Sequence, residues 1–220
     1  MNLEDRIYFI PDFLEEEKAK KMYGEVSKMP THWFSRTIMP TKNEFKMTSY
    51  VDTPELDENI EFQEVLEKCE ETFEKNEFAY RFRRTFQNHF ETCHCGVCQL
   101  DKLFGSPEML ERFSKIVNEN VISLGETFLS KYQKDDFLST HHDKGKGHFA
   151  FIYQLTKDWN PNHGGLLTFV EGNEVKKTIS PHFNSLSIFR IKDVPITDHF
   201  VSRVVVNKTR MAYTGWFLIQ

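Results

Sequence analysis

Residues 136–151 read DFLSTHHDKGKGHFAF, and the fold turns on how this stretch is taken. Its first part, 137–142, has strand character. Gly145 and Gly147 break it, and a second apolar run resumes from His148 and extends to about residue 156. In a strand, residues two apart face the same side. His141 and Asp143 therefore converge on one point while His142 points away. An imidazole and a carboxylate on one face suit a first-row divalent metal, provided a second imidazole arrives from elsewhere in the chain.

The same texture runs outward from this stretch to the C-terminus. Short runs rich in Phe, Val, Ile and Thr alternate with Gly, Asn, Asp and Pro, which predicts strands at 126–132, 137–142, 148–156, 165–171, 174–180, 185–191, 198–206 and 209–219. Before residue 121 the pattern is helical. Asp12 and Glu15 form a candidate capping box ahead of Leu14, Met22, Val26 and Met29. Phe62, Val65, Leu66, Cys69 and Phe73 lie on one helical face, and Ser106-Pro107 opens a third helix bearing Met109, Leu110, Phe113, Ile116 and Val117. Helices and strands segregated along the chain give an α+β expectation, with the helices buttressing a sheet.

The 220 residues suit one domain, and 21 Phe are enough for a sizeable core. A formal charge of −5 argues against nucleic-acid binding, which wants a basic excess. The short basic run Arg81, Arg83, Arg84 reads as a solvated cluster beside a helix. No stretch has the length and apolarity of a membrane span, no secretory leader is legible, and the cysteines are clustered rather than spread as a disulfide framework. A cytoplasmic, reducing setting is the expectation; oligomeric state is not legible.

Candidates for the second imidazole are His148, His163, His182 and His199. His199 opens the β-rich run HFVSRVVVNKTRMAYTGWF. With Asn207-Lys208 as a two-residue hairpin loop, His199 faces Trp216, Val205 faces Arg210, and His199, Val205 and Arg210 share one face. His199 and Arg210 would then be roughly 20 Å apart along the ladder. That leaves space for a dicarboxylate anchored at its far end by the guanidinium fork.

Taken in order, YQKDDFLSTHHD, FIYQLTKDWNPNHGGLLTF, PHFNSLSIF and HFVSRVVVNKTRMAYTGWF resemble the Fe(II)/2-oxoglutarate-dependent dioxygenases, in particular their prolyl-hydroxylase-like branch. The resemblance spans roughly 128–217. Tyr132 stands nine residues before His141, Arg210 stands eleven after His199, and Trp159 to Leu167 carries the family's Gly-Gly strand start. The resemblance implies a double-stranded β-helix, or jelly roll, over 121–220, with 1–120 as a mainly helical support within one 1–220 domain. It further implies Fe(II) held by His141, Asp143 and His199, and 2-oxoglutarate bound by Arg210 and Tyr132. O2 would be the co-reactant and ascorbate a stimulant, with hydroxylation of a prolyl residue in a protein or peptide alongside succinate and CO2. Thr214 or Trp216 would line the pocket. Hydroxylation of a free amino acid or other small molecule is the alternative, and a non-catalytic jelly-roll binding module is a third reading.

Outside that match, HFETCHCGVC gathers His89, Cys93, His94, Cys95 and Cys98. Partly buried thiols in a loop are the favoured reading. A structural zinc closed, for example, by His89, Cys93, Cys95 and Cys98 is the alternative. Gly145 and Gly147 fit either a substrate-covering lid or an ordinary turn, and His142 and His148 fit supporting roles better than ligation.

Overall fold

In the computed structural model, residues 3–40, 47–85, 93–192, 194 and 197–220 are described. Twelve strands are present among them: β1 Ile7–Ile10, β2 Phe34–Met39, β3 Thr48–Val51, β4 Tyr80–Thr85, β5 Val121–Tyr132, β6 Phe137–His141, β7 Phe149–Gln154, β8 Leu167–Glu171, β9 Glu174–Ile179, β10 Leu186–Arg190, β11 Asp198–Val201 and β12 Arg210–Ile219. They join in the order β1-β10-β7-β12-β5-β4-β6-β11-β8-β9, with β2 and β3 branching from β4. All pairings are antiparallel. The sheet curls on itself as a jelly roll. β4 is the seam: Arg83 and Arg84 pair with β5 on one side of the barrel, and Tyr80 and Arg81 pair with β6 on the other.

Strand alternation sorts the apolar side chains into two layers. On β12, Ala212 and Trp216 join a cluster with Phe128, Ile152, Phe169 and Phe189 inside the barrel. Met211, Tyr213 and Phe217 point to the opposite face, against the helices. The sequence of β7, FAFIYQ, is buried at every position because both its faces are covered.

Among the described residues four α-helices supply the outer layer: α1 Glu16–Ser27, α2 Ile60–Glu74, α3 Gly96–Phe104 and α4 Pro107–Val117. In α4, Ser106 accepts from the Met109 N–H and Pro107 occupies the first turn, as its sequence predicts. Its Phe113 ring lies 4.3 Å from that of Phe217 and 5.8 Å from that of Phe13, tying helix, sheet and N-terminal loop together. α2 begins at the cap Asn59 and packs Phe62 and Cys69, with Val65, Leu66 and Phe73 beside them, against Ile38 and Phe137.

Several expectations fail for identifiable reasons. The Asp12–Glu15 capping box does not form: Asp12 takes a φ of 48° and the α1 cap, Glu15, makes no side-chain bond. The first 120 residues carry β1 to β4 as well as helices. Arg81, Arg83 and Arg84 lie on β4 rather than on a solvated helix flank. Arg83, 9% exposed, is held by Asp52 at 2.9 Å and Asp136 at 2.8 Å. The basic run is thus one half of a buried charge network whose acids come from distant segments. α3 starts inside the cysteine stretch, which is therefore a helix entrance and not a loop throughout.

Candidate active site

The expected hairpin between β11 and β12 is absent. β11 pairs with β6 and β8, whereas β12 pairs with β5 and β7. The strands belong to opposite walls of the roll, and 202–209 crosses between them, docking through Val204 N–H to Asp136 O and Asp135 N–H to Val204 O. Val205, expected inward, is 56% exposed, while His199 and Arg210 are buried.

The pairing that does form brings the histidines together directly. His199 stands opposite His141 in the β11–β6 register, with ring centroids 4.3 Å apart. β6 ends at His141, and Asp143 lies just beyond in a turn closed by the Lys146 N–H to Asp143 O. Gly145 supplies the positive φ, 93°, that the third position of such a turn demands. Asp143 Oδ1 is 3.6 Å from His141 Nε2, and its Oδ2 is 3.8 Å from His199 Nε2. One ligand atom from each of the three residues lies within 4.8 Å of the others.

Both rings are turned the same way. Nδ1 of His141 donates to Ser139 O at 2.9 Å, and Nδ1 of His199 donates to Thr197 O at 3.1 Å. Those bonds place the ring proton on Nδ1 and leave each Nε2 lone pair facing Asp143, the tautomer that a metal ligand needs. Burial, reinforced by the His141 ring, pushes the His199 pKa down to about 4 despite the pull of Asp143, so this imidazole is neutral at pH 7. Burial alone would raise the Asp143 carboxyl. His141 and His199 in their protonated forms, together with the Trp216 Nε1–H donating at 3.1 Å, instead hold it down to about 2. Two imidazole nitrogens and one carboxylate, each oriented by an outer partner, form a donor set that fits an iron or similar divalent ion with positions left open.

Arg210 begins β12 directly opposite Tyr132 at the end of β5. Its guanidinium carbon is 4.9 Å from the Tyr132 ring centroid, it is 2% exposed, and its Nε has no hydrogen-bond partner. Among the described residues no carboxylate pairs with it. A buried, unpaired guanidinium is costly unless a ligand carboxylate completes it. Burial lowers its pKa, offset in part by Tyr132. Burial raises the Tyr132 hydroxyl, against the pull of the neighbouring Arg210.

A cleft of about 570 Å³ opens at Asp143 and is edged by His142, Lys144, Lys146, His148 and Lys192. A larger groove of about 1150 Å³ along α1 and α4 shares none of these residues. Of the other histidines, His163 caps a short helical turn through the Asn160 N–H, and His148 accepts from the Ile219 N–H, so both are structural. His142 accepts weakly from the Lys144 N–H at 3.4 Å. The role of Trp216 as the Asp143 partner and the close approach of Gly165 to Arg210 were not legible in the sequence. Each depends on strands brought side by side by the roll. His89 lies outside the described residues.

Residues 127–218 match the family model of the 2OG-Fe(II) oxygenase superfamily. No curated protein sequence gives a significant match. Among solved structures, an oxidoreductase of the 2OG-Fe(II) oxygenase family from Burkholderia pseudomallei superposes with a TM-score of 0.60 at 10% identity, covering 97% of this chain and 85% of that one. A prolyl hydroxylase in complex with a hypoxia inducible factor oxygen degradation domain peptide fragment, from Trichoplax adhaerens, gives 0.50 at 16% identity, over 94% and 95% of the two chains. At these identities the likeness is one of fold. Together with the family match, it bears out the resemblance to the Fe(II)/2-oxoglutarate-dependent dioxygenases read from the sequence motifs.

Proposed function

We propose that this chain, whose fold and C-terminal sequence are those of the 2OG-Fe(II) oxygenase superfamily, hydroxylates an unactivated C–H bond of a prolyl residue in a protein or peptide. The observation that carries the oxygenase reading is the pairing of an oriented His-Asp-His set with a buried guanidinium that lacks a carboxylate. A jelly-roll module that only bound a partner would need neither.

His141 and His199 would hold Fe(II) through Nε2, and Asp143 through a carboxylate oxygen. The bound iron supplies the oxidative chemistry, coupling decarboxylation of 2-oxoglutarate to succinate and CO2 with hydroxylation by O2. The protein's part is orientation and exclusion of water. Ser139 and Thr197 carbonyls fix the two rings, and Trp216 fixes the carboxylate. Arg210 offers a planar fork to the far carboxylate of 2-oxoglutarate, and Tyr132, packed on Phe82 at 5.0 Å, bounds the same pocket and presents its hydroxyl. The barrel interior around them is lined by Phe169, Phe189 and Phe128, which keeps the reacting centre dry.

The choice of a peptide rests on the open cleft at Asp143. Lys144, Lys146 and Lys192 edge it, so a segment with acidic residues flanking the proline is the expected substrate. The test is succinate formation with Fe(II), 2-oxoglutarate, ascorbate and a panel of proline peptides with acidic or basic flanks. Mass gain of one oxygen on proline in the acidic set supports the reading. Oxygenation of a free amino acid, with no peptide modified, replaces it with the small-molecule alternative.

A further inference from the structure

A second convergence of donor atoms lies apart from the triad, at the entrance to α3. Cys95 is the cap residue of this helix, Cys98 is its third residue, and Cys93 precedes the cap by two. The three Sγ atoms lie within 4.8 Å of one another, and that of Cys95 is 3.6 Å from that of Cys98. A tetrahedral zinc with Zn–S bonds of about 2.3 Å has S···S edges of about 3.8 Å. The Cys95–Cys98 pair therefore already stands at the edge length of such a site, whereas a disulfide requires about 2.05 Å.

Backbone donors converge on the sulfurs. The Cys95 N–H donates to Cys93 Sγ at 3.5 Å, and the N–H groups of Val97 and Cys98 point at Cys95 Sγ. The positive end of α3 lies at the same place. Cys98 is buried and Cys95 packs against the helical core, but Cys93 is only partly covered, so packing does not account for all three. On binding a divalent cation the thiols ionise and their protons leave to solvent.

We propose that Cys93, Cys95 and Cys98 hold a structural zinc ion, with a fourth donor from outside this trio closing the tetrahedron. The ion clamps the start of α3. From there Val97, Leu100 and Phe104 enter the helical core, and Asp101 accepts from Thr127 Oγ1 at 2.6 Å and Tyr213 Oη at 2.5 Å. Those two residues lie on β5 and β12, the strands that carry Tyr132 and Arg210. The zinc steadies the outer face of the strand pair without touching the reacting centre.

The test is zinc content by mass spectrometry of the full chain after dialysis against an iron chelator, with Co(II) replacement as a second readout. The wild type is expected to keep about one zinc per chain. The His141→Ala/His199→Ala variant, which lacks the other site, should keep it too. Cys93→Ser and Cys95→Ser should lose it, and with it the thiolate-to-cobalt charge-transfer absorption. Cys93 is only half-buried, so its serine variant, checked by circular dichroism, remains decisive if changes at Cys98 prevent folding. Absence of zinc and of the thiolate band in the wild type overturns the proposal. So does metal content unchanged in the serine variants, or a Cys95–Cys98 disulfide in metal-free chain.

Discussion

Gly165 lies so close to Arg210 that a Cβ built on it would come 2.9 Å from Arg210 Cδ, with Val204 and Trp159 at 3.2 and 3.3 Å behind it. The glycine, at a φ of 66°, forms one wall of the slot that holds the guanidinium. Gly165→Ala is expected to displace Arg210 and raise KM for 2-oxoglutarate about tenfold, with a smaller change in kcat. Gly172→Ala is the control: its φ of 59° imposes similar backbone strain, but nothing lies within 4 Å of its Cβ. A KM effect shared by both variants would assign it to strain rather than to Arg210.

Arg210 itself should be the more sensitive position. Replacement by Met keeps much of the volume and removes the fork. A charge-assisted bond to a carboxylate contributes about 1.5–3 kcal/mol, so the KM for 2-oxoglutarate should rise by about 10- to 100-fold. Arg210→Lys restores the charge without the bidentate geometry and should recover only part of the loss. Steady-state kinetics over a 2-oxoglutarate series measures both; wild-type KM in the Met variant would remove Arg210 from the site.

Trp216→Phe tests the outer support of the triad. It deletes the N–H that holds Asp143 Oδ2 while keeping an aromatic ring in the barrel. Loss of such a partner weakens metal binding by about 10- to 100-fold. Fe(II) titration of turnover should show that shift with an unchanged unfolding temperature. A fall in stability with unaltered iron dependence would make Trp216 a packing residue.

Asp136 gives the fold a pH signature distinct from the site. Burial raises its carboxyl to about 6, although Arg83 and the Gln133 N–H pull the other way. Because this value exceeds the unfolded one of about 3.9, the native state binds the extra proton between them. The associated stability is complete below about pH 4 and is lost as pH rises through 6, by on the order of 2–3 kcal/mol. Urea midpoints at pH 4.5, 5.5 and 7 should therefore fall more steeply in the wild type than in Asp136→Asn. Parallel profiles would contradict the assignment.

What the sequence made legible follows from the range of each interaction. The strands after residue 121 and the helices at 60–74 and 107–117 have local periodicity and caps, so their existence could be read directly. His141 and Asp143 could be singled out by their spacing, although Asp143 sits in the turn after β6 and not on the strand that the alternation argument assumed. β4 was not legible. Its arginines have the composition of a surface, and the acids that bury them, Asp52 and Asp136, lie far away in the chain. His199 and Arg210 could be chosen from the family resemblance, but their geometry could not be obtained from the hairpin rule. That rule pairs sequence neighbours, as in β8 and β9, whereas β11 and β12 lie on opposite walls of the roll. The carbonyls behind the two histidines leave no composition signal, since any residue supplies a backbone oxygen.

The central claim is that His141, Asp143 and His199 together hold one ferrous ion, to which 2-oxoglutarate binds as a chelate. Anaerobic addition of Fe(II) and 2-oxoglutarate to the purified chain, followed by visible spectroscopy, measures this before any substrate is known. The predicted result is the metal-to-ligand charge-transfer band of the chelate in the wild type and its loss in folded Asp143→Ala and His199→Ala variants. A band of equal strength in either variant, or none in the wild type, would contradict the account.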